Sequence, residues 1–254
     1  MDILTRIDND VLTITFNRPA KKNAITAAMY QALADALHAA DTDPSVRAML
    51  IAGQPEIFTA GNDLEDFLKS PPHSDDSPVF QFLQAISTAQ KPIVAAVRGA
   101  AVGVGTTMLL HCDLVYAGRS AQFSLPFVQL GICPEAASSL LLPQLIGYRQ
   151  AAAKLLLSEP FGADEALAMG FVNQVLDDDA VLDHAKAVAM KLAALPLTSV
   201  RTTKWLMKGD AAADVAARMQ KEGAAFRDLL GAPEAREAFS AFFEKRKPDF
   251  KQFA

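Results

Sequence analysis

The segment LGICPEAASSLLLPQLIG, residues 130–147, contains one carboxylate, Glu135, between a proline and a long apolar run. Pro134 is a natural first residue of a helix, and the helix dipole stabilises an acid in the first turn. The apolar neighbours Ile132 and Leu140 would instead desolvate the carboxylate and raise its pKa towards a pH at which it can transfer protons. The local sequence alone favours the helix-start interpretation, but the two roles are compatible.

Two glycine-containing turns could supply backbone N–H groups to a reaction. The segment GAAVGVGTT (99–107) follows an apolar strand, and we expect a helix to begin near Gly105. The segment IFTAGNDLEDF (57–67) has the same form. Because the first N–H groups of a helix lack partners within it, each turn could contribute one donor to an oxyanion hole. For each turn taken separately there is a simpler alternative: the glycines only allow close packing. In the second turn, Asn62 or Asp63 would then be a helix N-cap.

Strand and helix signals alternate along most of the chain and predict an α/β fold with a mainly parallel sheet. Apolar strand segments include VLTITF, VRAMLIAG and KPIVAAVRG, and Thr26 is the predicted N-cap of the first helix. The polar, proline-rich segment 70–78 predicts a surface loop. From Val181 onwards helical patterns dominate. We therefore predict a core at residues 1–195 and a C-terminal helical region at 196–254 that serves in assembly or as a lid.

Composition excludes several classes of function. The chain has 254 residues, of which 51% are hydrophobic and 21% charged, and its formal net charge of −5 offers no footprint for nucleic acid. Cys112 and Cys133 lie in apolar contexts, which favours buried thiols in a reducing compartment. The acidic start MDILTRIDND has no apolar signal core, and no apolar run is long enough to span a membrane. We therefore expect a cytoplasmic protein with no membrane partner.

Other chemistries find little support among the motifs. A dinucleotide fingerprint would need a glycine where Met108 stands, and neither a Walker motif nor a G-x-S-x-G elbow occurs. The histidines lack partners at the spacing of metal ligands, so we expect no metal site; they are His38, His73, His111 and His184.

Six segments together resemble the enoyl-CoA hydratase/isomerase family, which has the crotonase fold. They are NRPAKKNAIT, FTAGNDL, KPIVAAVRGAAVGVGTTMLLHCDLVYAG, AQFSLPF, LGICPEAASS and FFEKRKPDF, in register from about Val11 to Phe250. The resemblance implies a spiral of ββα units and a homotrimer or a hexamer made of two trimers. It also implies acyl-CoA chemistry through an enolate, with the coenzyme A thioester as substrate and no separate cofactor.

The resemblance assigns the oxyanion hole to the backbone N–H groups of Asn62 and Val104. At the two positions where the family's hydratases have glutamates, this chain has Thr107 and Phe127, neither of which can abstract or deliver a proton at neutral pH. Glu135 instead resembles the single base of the peroxisomal-type Δ3,Δ2-enoyl-CoA isomerases. We therefore expect an isomerase that moves a double bond from C3 to C2 of an enoyl-CoA.

Two alternatives stay open. One is a hydratase, or another acyl-CoA lyase or hydrolase, that uses Glu135 differently, and the other is a non-catalytic acyl-CoA-binding protein. In each case lysines and backbone amides should meet the CoA, with Lys245 reaching it in the same or a neighbouring subunit, although such lysines are more often solvated surface charges. The expected CoA-binding residues are Lys22, Asn23, Ala24, Ala60, Gly61, Asp63, Leu64, Gly103 and Lys245, with Lys21 beside them.

Overall fold

Strands and helices alternate up to residue 176, after which the described chain contains helices and 3₁₀ turns. The computed structural model describes residues 1–69, 71, 72, 74 and 76–253. The strands are β1 Ile3–Asp8, β2 Val11–Phe16, β3 Ala48–Ala52, β4 Ile57–Thr59, β5 Ile93–Val97, β6 Ala100–Val102, β7 Leu114–Gly118, β8 Gln122–Ser124, β9 Phe161–Gly162 and β10 Gln174–Leu176. The helices are α1 Ala27–Thr42, α2 Leu64–Lys69, α3 Pro78–Thr88, α4 Val104–Thr107, α5 Ser138–Ile146, α6 Tyr148–Leu156, α7 Ala163–Ala168, α8 Val181–Ala194, α9 Leu197–Lys208, α10 Ala212–Leu230 and α11 Pro233–Phe243.

The larger sheet has the strand order β1-β2-β3-β5-β7-β10. Strands β2, β3, β5, β7 and β10 run parallel, while β1 pairs antiparallel with β2. The sequence patterns did not predict β1 or the tight turn that follows it. Asn9 and Asp10, the two residues of this turn, have positive φ. Helix α8 covers one face of the sheet with a stripe of small and β-branched residues.

A smaller sheet with the order β4-β6-β8-β9 lies beside the first. Each of β4, β6 and β8 follows directly after a strand of the larger sheet, and the three run parallel. Strands of two or three residues are too short to show an alternating pattern, so the sequence indicated only β4, as the apolar strand end before the turn in 57–67. The repeated strand–strand–helix unit is the predicted ββα spiral, and the α/β fold class is confirmed.

Two glycines allow the turns after β4 and β6 to approach one another. Gly61 has φ of +83°, and a Cβ there would lie 2.7 Å from the carbonyl oxygen of Val102. A Cβ on Gly105 would lie 2.5 Å from Cγ2 of Thr59. Any larger side chain would therefore push the two turns apart.

Some predicted boundaries hold and others shift. Thr26 caps α1, since its hydroxyl accepts the amide hydrogen of Met29. The helix expected near Gly105 begins at Val104. The predicted division after residue 195 falls between α8 and α9, and the two-domain organisation stays a prediction. Of the predicted loop 70–78, residues 70, 73 and 75 lie outside the described residues, and Pro78 already belongs to α3.

Candidate active site

Glu135 lies just before α5, not inside it, so the prediction that Pro134 starts the helix is wrong. The helix begins at Ser138, and the two intervening residues, Ala136 and Ala137, have φ of +59° and +54°. Two successive left-handed residues cannot belong to a right-handed helix. Nothing in the sequence signalled this, because glycine or asparagine would be the usual residue there.

The Glu135 carboxylate is buried with one oxygen unpaired. The residue is 7% exposed, and its Oε1 accepts a hydrogen bond from the Thr107 hydroxyl at 2.5 Å. Within the described part of the chain, Oε2 has no hydrogen-bond partner. Burial raises the pKa of Glu135 to about 8, the Thr107 hydrogen bond opposes this rise, and the negative charge of Glu222 adds to it. Such a carboxyl group exchanges protons near neutral pH.

The segment that carries Glu135 is held by two further side chains. His111 lies with Nε2 2.8 Å from the carbonyl oxygen of Ala136. Burial lowers the pKa of His111 to about 4, so the ring is neutral and Nε2–H donates. Glu222 of α10 accepts the amide hydrogens of Ala137 and Ser139. Sequence reasoning missed both residues, because each is distant in the chain and belongs to no motif.

The amide of Val104 lies at the start of α4. Gly103, with a positive φ, precedes it, and the Gly103 carbonyl oxygen accepts the amide hydrogens of Thr106 and Thr107. As the first residue of the helix, Val104 has no intrahelical acceptor for its own N–H.

The amide of Asn62 stands in a comparable position. Ile25 forms a parallel bridge to this residue by donating to the carbonyl of Gly61 and accepting from the amide of Asp63. The Asn62 amide, which lies between these two groups, takes no part in the bridge.

Side chains connect one of the turns to Glu135 and the other to Tyr30. Thr107, which donates to the carboxylate, lies one turn along the helix that Val104 begins. On the other side, the side-chain oxygen of Asn62 accepts a hydrogen bond from the Tyr30 hydroxyl. Burial, with a contribution from the charge of Glu135, raises the pKa of Tyr30 well above its usual value. The Val104 helix therefore contacts the base through Thr107, and the Asn62 turn contacts Tyr30, on which the charge of Glu135 acts.

Several predicted CoA-binding residues have exposed or half-buried positions. Lys22 and Lys245 are exposed at residues of positive φ. Ala60 is half-buried and donates its amide hydrogen to the Lys22 carbonyl, which ties the lysine segment to the turn after β4. Leu64 begins α2 and packs against the core. Gly103 has open space where a Cβ would be.

In three other predicted CoA-binding residues the polar groups form hydrogen bonds within the protein: Asn23, Ala24 and Asp63. Asn23 is buried, and its side chain bonds to the backbone of Arg18, Ile57 and Phe58. The Ala24 amide donates to the carbonyl of Lys21, and its role in CoA binding stays a prediction.

Asp63 is the N-cap that the sequence allowed. It pairs with Arg18 at 2.6 Å and accepts the amide hydrogen of Asp66 at the start of α2. Although burial works to raise the pKa of Asp63, the hydrogen bonds and charge of Arg18 and the Asp66 amide lower it on balance.

Both positions that carry glutamates in the hydratases are apolar or neutral here, and both are buried. Thr107 faces Glu135, and Phe127 packs into the main core.

The described residues contain no cluster of three or more His, Cys, Asp or Glu side chains that could hold a metal ion. Within the same residues, no helix is both long and apolar enough to cross a membrane.

A sequence model of the family Enoyl-CoA hydratase/isomerase matches residues 6–253. The chain belongs to this family. This match confirms the resemblance of the six sequence segments. The protein therefore has the enoyl-CoA hydratase/isomerase activity that defines this crotonase-fold family.

Three family members illustrate the range of similarity. The chain is 34% identical to the 2,3-dehydroadipyl-CoA hydratase of Escherichia coli, with 95% of each protein covered. It is 34% identical to the enoyl-CoA delta isomerase 2 of Rattus norvegicus, covering 97% of this chain and 64% of that longer protein. The crystal structure of an enoyl-CoA hydratase/isomerase from Pseudoalteromonas atlantica superposes with a TM-score of 0.94 at 44% identity, covering 98% of this chain and 100% of that one. The relatives thus include both hydratases and an isomerase.

The buried carboxyl predicts a pH-dependent gain in stability for Glu135→Gln. In the folded protein Glu135 keeps its proton up to about pH 8, while its ordinary pKa is 4.5. As pH rises through this window the unfolded chain ionises first, so wild type loses up to about 1.4 kcal/mol of unfolding free energy per pH unit relative to the glutamine variant. Denaturant unfolding of both proteins at pH 5 and pH 8 measures the difference.

The control for this experiment is Glu159→Gln, which removes an exposed carboxylate. Its unfolding free energy should follow that of wild type at both pH values. A constant difference between wild type and Glu135→Gln across the window would contradict a raised pKa at Glu135.

Proposed function

We propose that this protein is a Δ3,Δ2-enoyl-CoA isomerase in which Glu135 shuttles one proton between C2 and C4 of the substrate. The observation that carries the proposal is Oε2 of Glu135, a buried acceptor with no hydrogen-bond partner in the described chain, in a carboxyl group whose pKa is raised to about 8. The amides of Asn62 and Val104 form the oxyanion hole. A general base contributes most when its pKa lies near the working pH.

The reaction needs one carboxylate and no water. The C2 proton of a 3-enoyl thioester lies between a carbonyl and a double bond, so its removal gives a dienolate. The C2–H bond breaks, the proton goes to Glu135, and the electron pair spreads to the thioester oxygen, where the Asn62 and Val104 amides stabilise it. One such donor is worth about 10²–10³ in rate. Glu135 then returns the proton to C4, which leaves the double bond conjugated with the thioester.

The second buried carboxylate near the site does not supply the acid that hydration would need. Glu222 already accepts hydrogen bonds from Ala137 and Ser139 on both of its oxygens. With Thr107 and Phe127 at the hydratase positions, the site contains one free acid–base group within the described residues. Because several relatives are named hydratases, hydration of a 2-enoyl-CoA through Glu135 is the alternative that the assay must distinguish.

The carrier is proposed to bind along the turn after β4 and the lysines beside it. Lys22 and Lys245 would meet the CoA phosphates, and Ala60 and Asp63 would flank the adenine and pantetheine. The other proposed CoA-binding residues are Asn23, Ala24, Gly61, Leu64 and Gly103. The same proposal includes a homotrimer or a hexamer, a cytoplasmic location and the absence of a separate cofactor.

The most direct assay follows 3-enoyl-CoA and 2-enoyl-CoA separately by proton NMR. Wild type should convert the 3-enoyl thioester to the 2-enoyl thioester, and Glu135→Gln should lower kcat by about 10²- to 10⁴-fold because the base is lost. Glu159→Gln should retain wild-type activity. Fast hydration of 2-enoyl-CoA without double-bond migration would establish a hydratase instead, and CoA binding with neither reaction would indicate a non-catalytic binding protein.

The pH dependence of isomerisation tests the role of Thr107. For wild type, kcat/KM should rise with pH and level off above about pH 8, since Glu135 must be ionised to accept the proton. In Thr107→Val the hydrogen bond that lowers the pKa of Glu135 is lost, so the profile should move to higher pH. Thr203→Val, an exposed substitution on α9, is the control. A Thr107→Val profile that coincides with wild type would refute this role.

A further inference from the structure

Glu222 reaches the segment that carries the base from a distant part of the chain. It lies on α10, 85 positions after Ala137, and is 6% exposed. Its Oε2 accepts the amide hydrogen of Ala137 at 2.6 Å. Its Oε1 accepts the amide hydrogen of Ser139 at 2.9 Å and the Ser139 hydroxyl at 2.5 Å. All three donors belong to the four residues that follow Glu135.

The hydrogen-bond directions fit an ionised Glu222. Arg218, one turn earlier on α10, donates from Nη1 to the Ser139 hydroxyl oxygen at 3.1 Å. The hydroxyl hydrogen is therefore free to point at Glu222, which accepts it. Burial raises the pKa of Glu222, and the hydrogen bonds from Ser139 and Ala137 and the charge of Arg218 oppose that rise by favouring the anion.

The segment between Glu135 and α5 needs such support. Ala136 and Ala137 both have left-handed backbone conformations, which residues with a Cβ rarely adopt. A backbone of this kind persists when its surroundings hold it in place. His111 fixes the Ala136 carbonyl and Glu222 fixes the Ala137 amide, so each left-handed residue has one buried partner.

Building on the proposed function above, we propose that Glu222 is a positioning residue for the base. Its carboxylate holds the left-handed pair that orients Glu135, and it keeps a second negative charge beside the site without taking part in proton transfer. The substrate does not touch Glu222 in this arrangement, because both carboxylate oxygens are engaged by the protein.

Three other titratable groups beside Glu135 or its segment are neutral between pH 6 and pH 9, and the charges of Lys204 and Lys208 on α9 act on His111. Burial raises the pKa of Tyr30 on α1 well above its usual value, and burial with nearby negative charge raises that of Cys133 to about 11. Burial lowers the pKa of His111 to about 4. Of the charged residues on α10, Glu222 acts on Glu135 and Arg218 donates to the Ser139 hydroxyl; the others are Asp214, Lys221, Arg227 and Asp228. A change in the pH profile on neutralising Glu222 therefore reports the Glu222 charge.

The test compares Glu222→Gln, Glu222→Asp and the control Asp228→Asn, which removes an exposed negative charge from the same helix. The readouts are kcat, KM and the pH profile of kcat/KM for 3-enoyl-CoA, with circular dichroism to verify folding. Glu222→Gln should lower kcat by about 10- to 100-fold through misplacement of the base, with little change in KM, and should move the profile to lower pH. Glu222→Asp keeps the charge, so its profile should stay at the wild-type position although kcat falls.

Ser139→Ala covers the case in which the Glu222 variants do not fold. It removes one donor to Glu222 but leaves both amide contacts and the charge, and we expect a several-fold lower kcat at an unchanged pH profile. Wild-type kcat in Ser139→Ala and Glu222→Asp together, or identical pH profiles for Glu222→Gln and Glu222→Asp, would overturn the proposal.

A separate measurement distinguishes failure of this proposal from failure of the isomerase assignment. Exchange of the C2 protons of 3-enoyl-CoA with D2O requires the base but no migration of the double bond. If wild type exchanges these protons without isomerising, the assignment fails while the effect of Glu222 on the exchange rate is still measurable. If wild type isomerises and Glu222→Gln matches it in rate and pH profile, the positioning role alone fails.

Discussion

The chemistry of this site depends on the desolvation of one carboxyl group. Glu135 is buried and has one hydroxyl donor, and its second oxygen has no partner among the residues that the structure describes, so its proton is held until about pH 8. In water the same group would be a weak base at neutral pH. Buried without any donor, it would hold its proton more tightly still. The Thr107 hydroxyl therefore keeps the desolvated carboxylate within the range in which it can both take and return a proton.

The repeated ββα unit explains how three distant segments meet. Three of the four short strands of the smaller sheet lead into segments of the site. The turn after β4 presents the Asn62 amide, the turn after β6 presents the Val104 amide, and the chain after β8 leads to Glu135. Because β4, β6 and β8 are parallel neighbours, the three segments leave the sheet on the same side. The close approach of the Gly61 turn to Val102 then fixes the spacing of the first two.

The sequence predicted the groups that belong to motifs and missed those that act across the fold. Both glycine turns, the Thr26 cap and the main strands follow from local patterns, because each depends on neighbouring residues. The helix start at Pro134 was predicted wrongly, since two alanines with left-handed conformation look like ordinary helix formers. His111 and Glu222 reach Ala136 and Ala137 only through tertiary packing, so no local pattern could reveal them. The short strands of the smaller sheet carry too few residues for any periodicity.

A buried acid with a raised pKa lowers the free energy of unfolding at any pH where the unfolded chain ionises it. For Glu135 this loss is largest near pH 8, where the site would work. The most direct test is a 13C NMR titration of the Glu135 side-chain carboxyl carbon, assigned by its absence in Glu135→Gln. The structure predicts a titration midpoint of about 8, far above the ordinary value of 4.5. A midpoint near the ordinary value would mean that water reaches the carboxylate, and the assignment of Glu135 as a desolvated proton shuttle would be wrong.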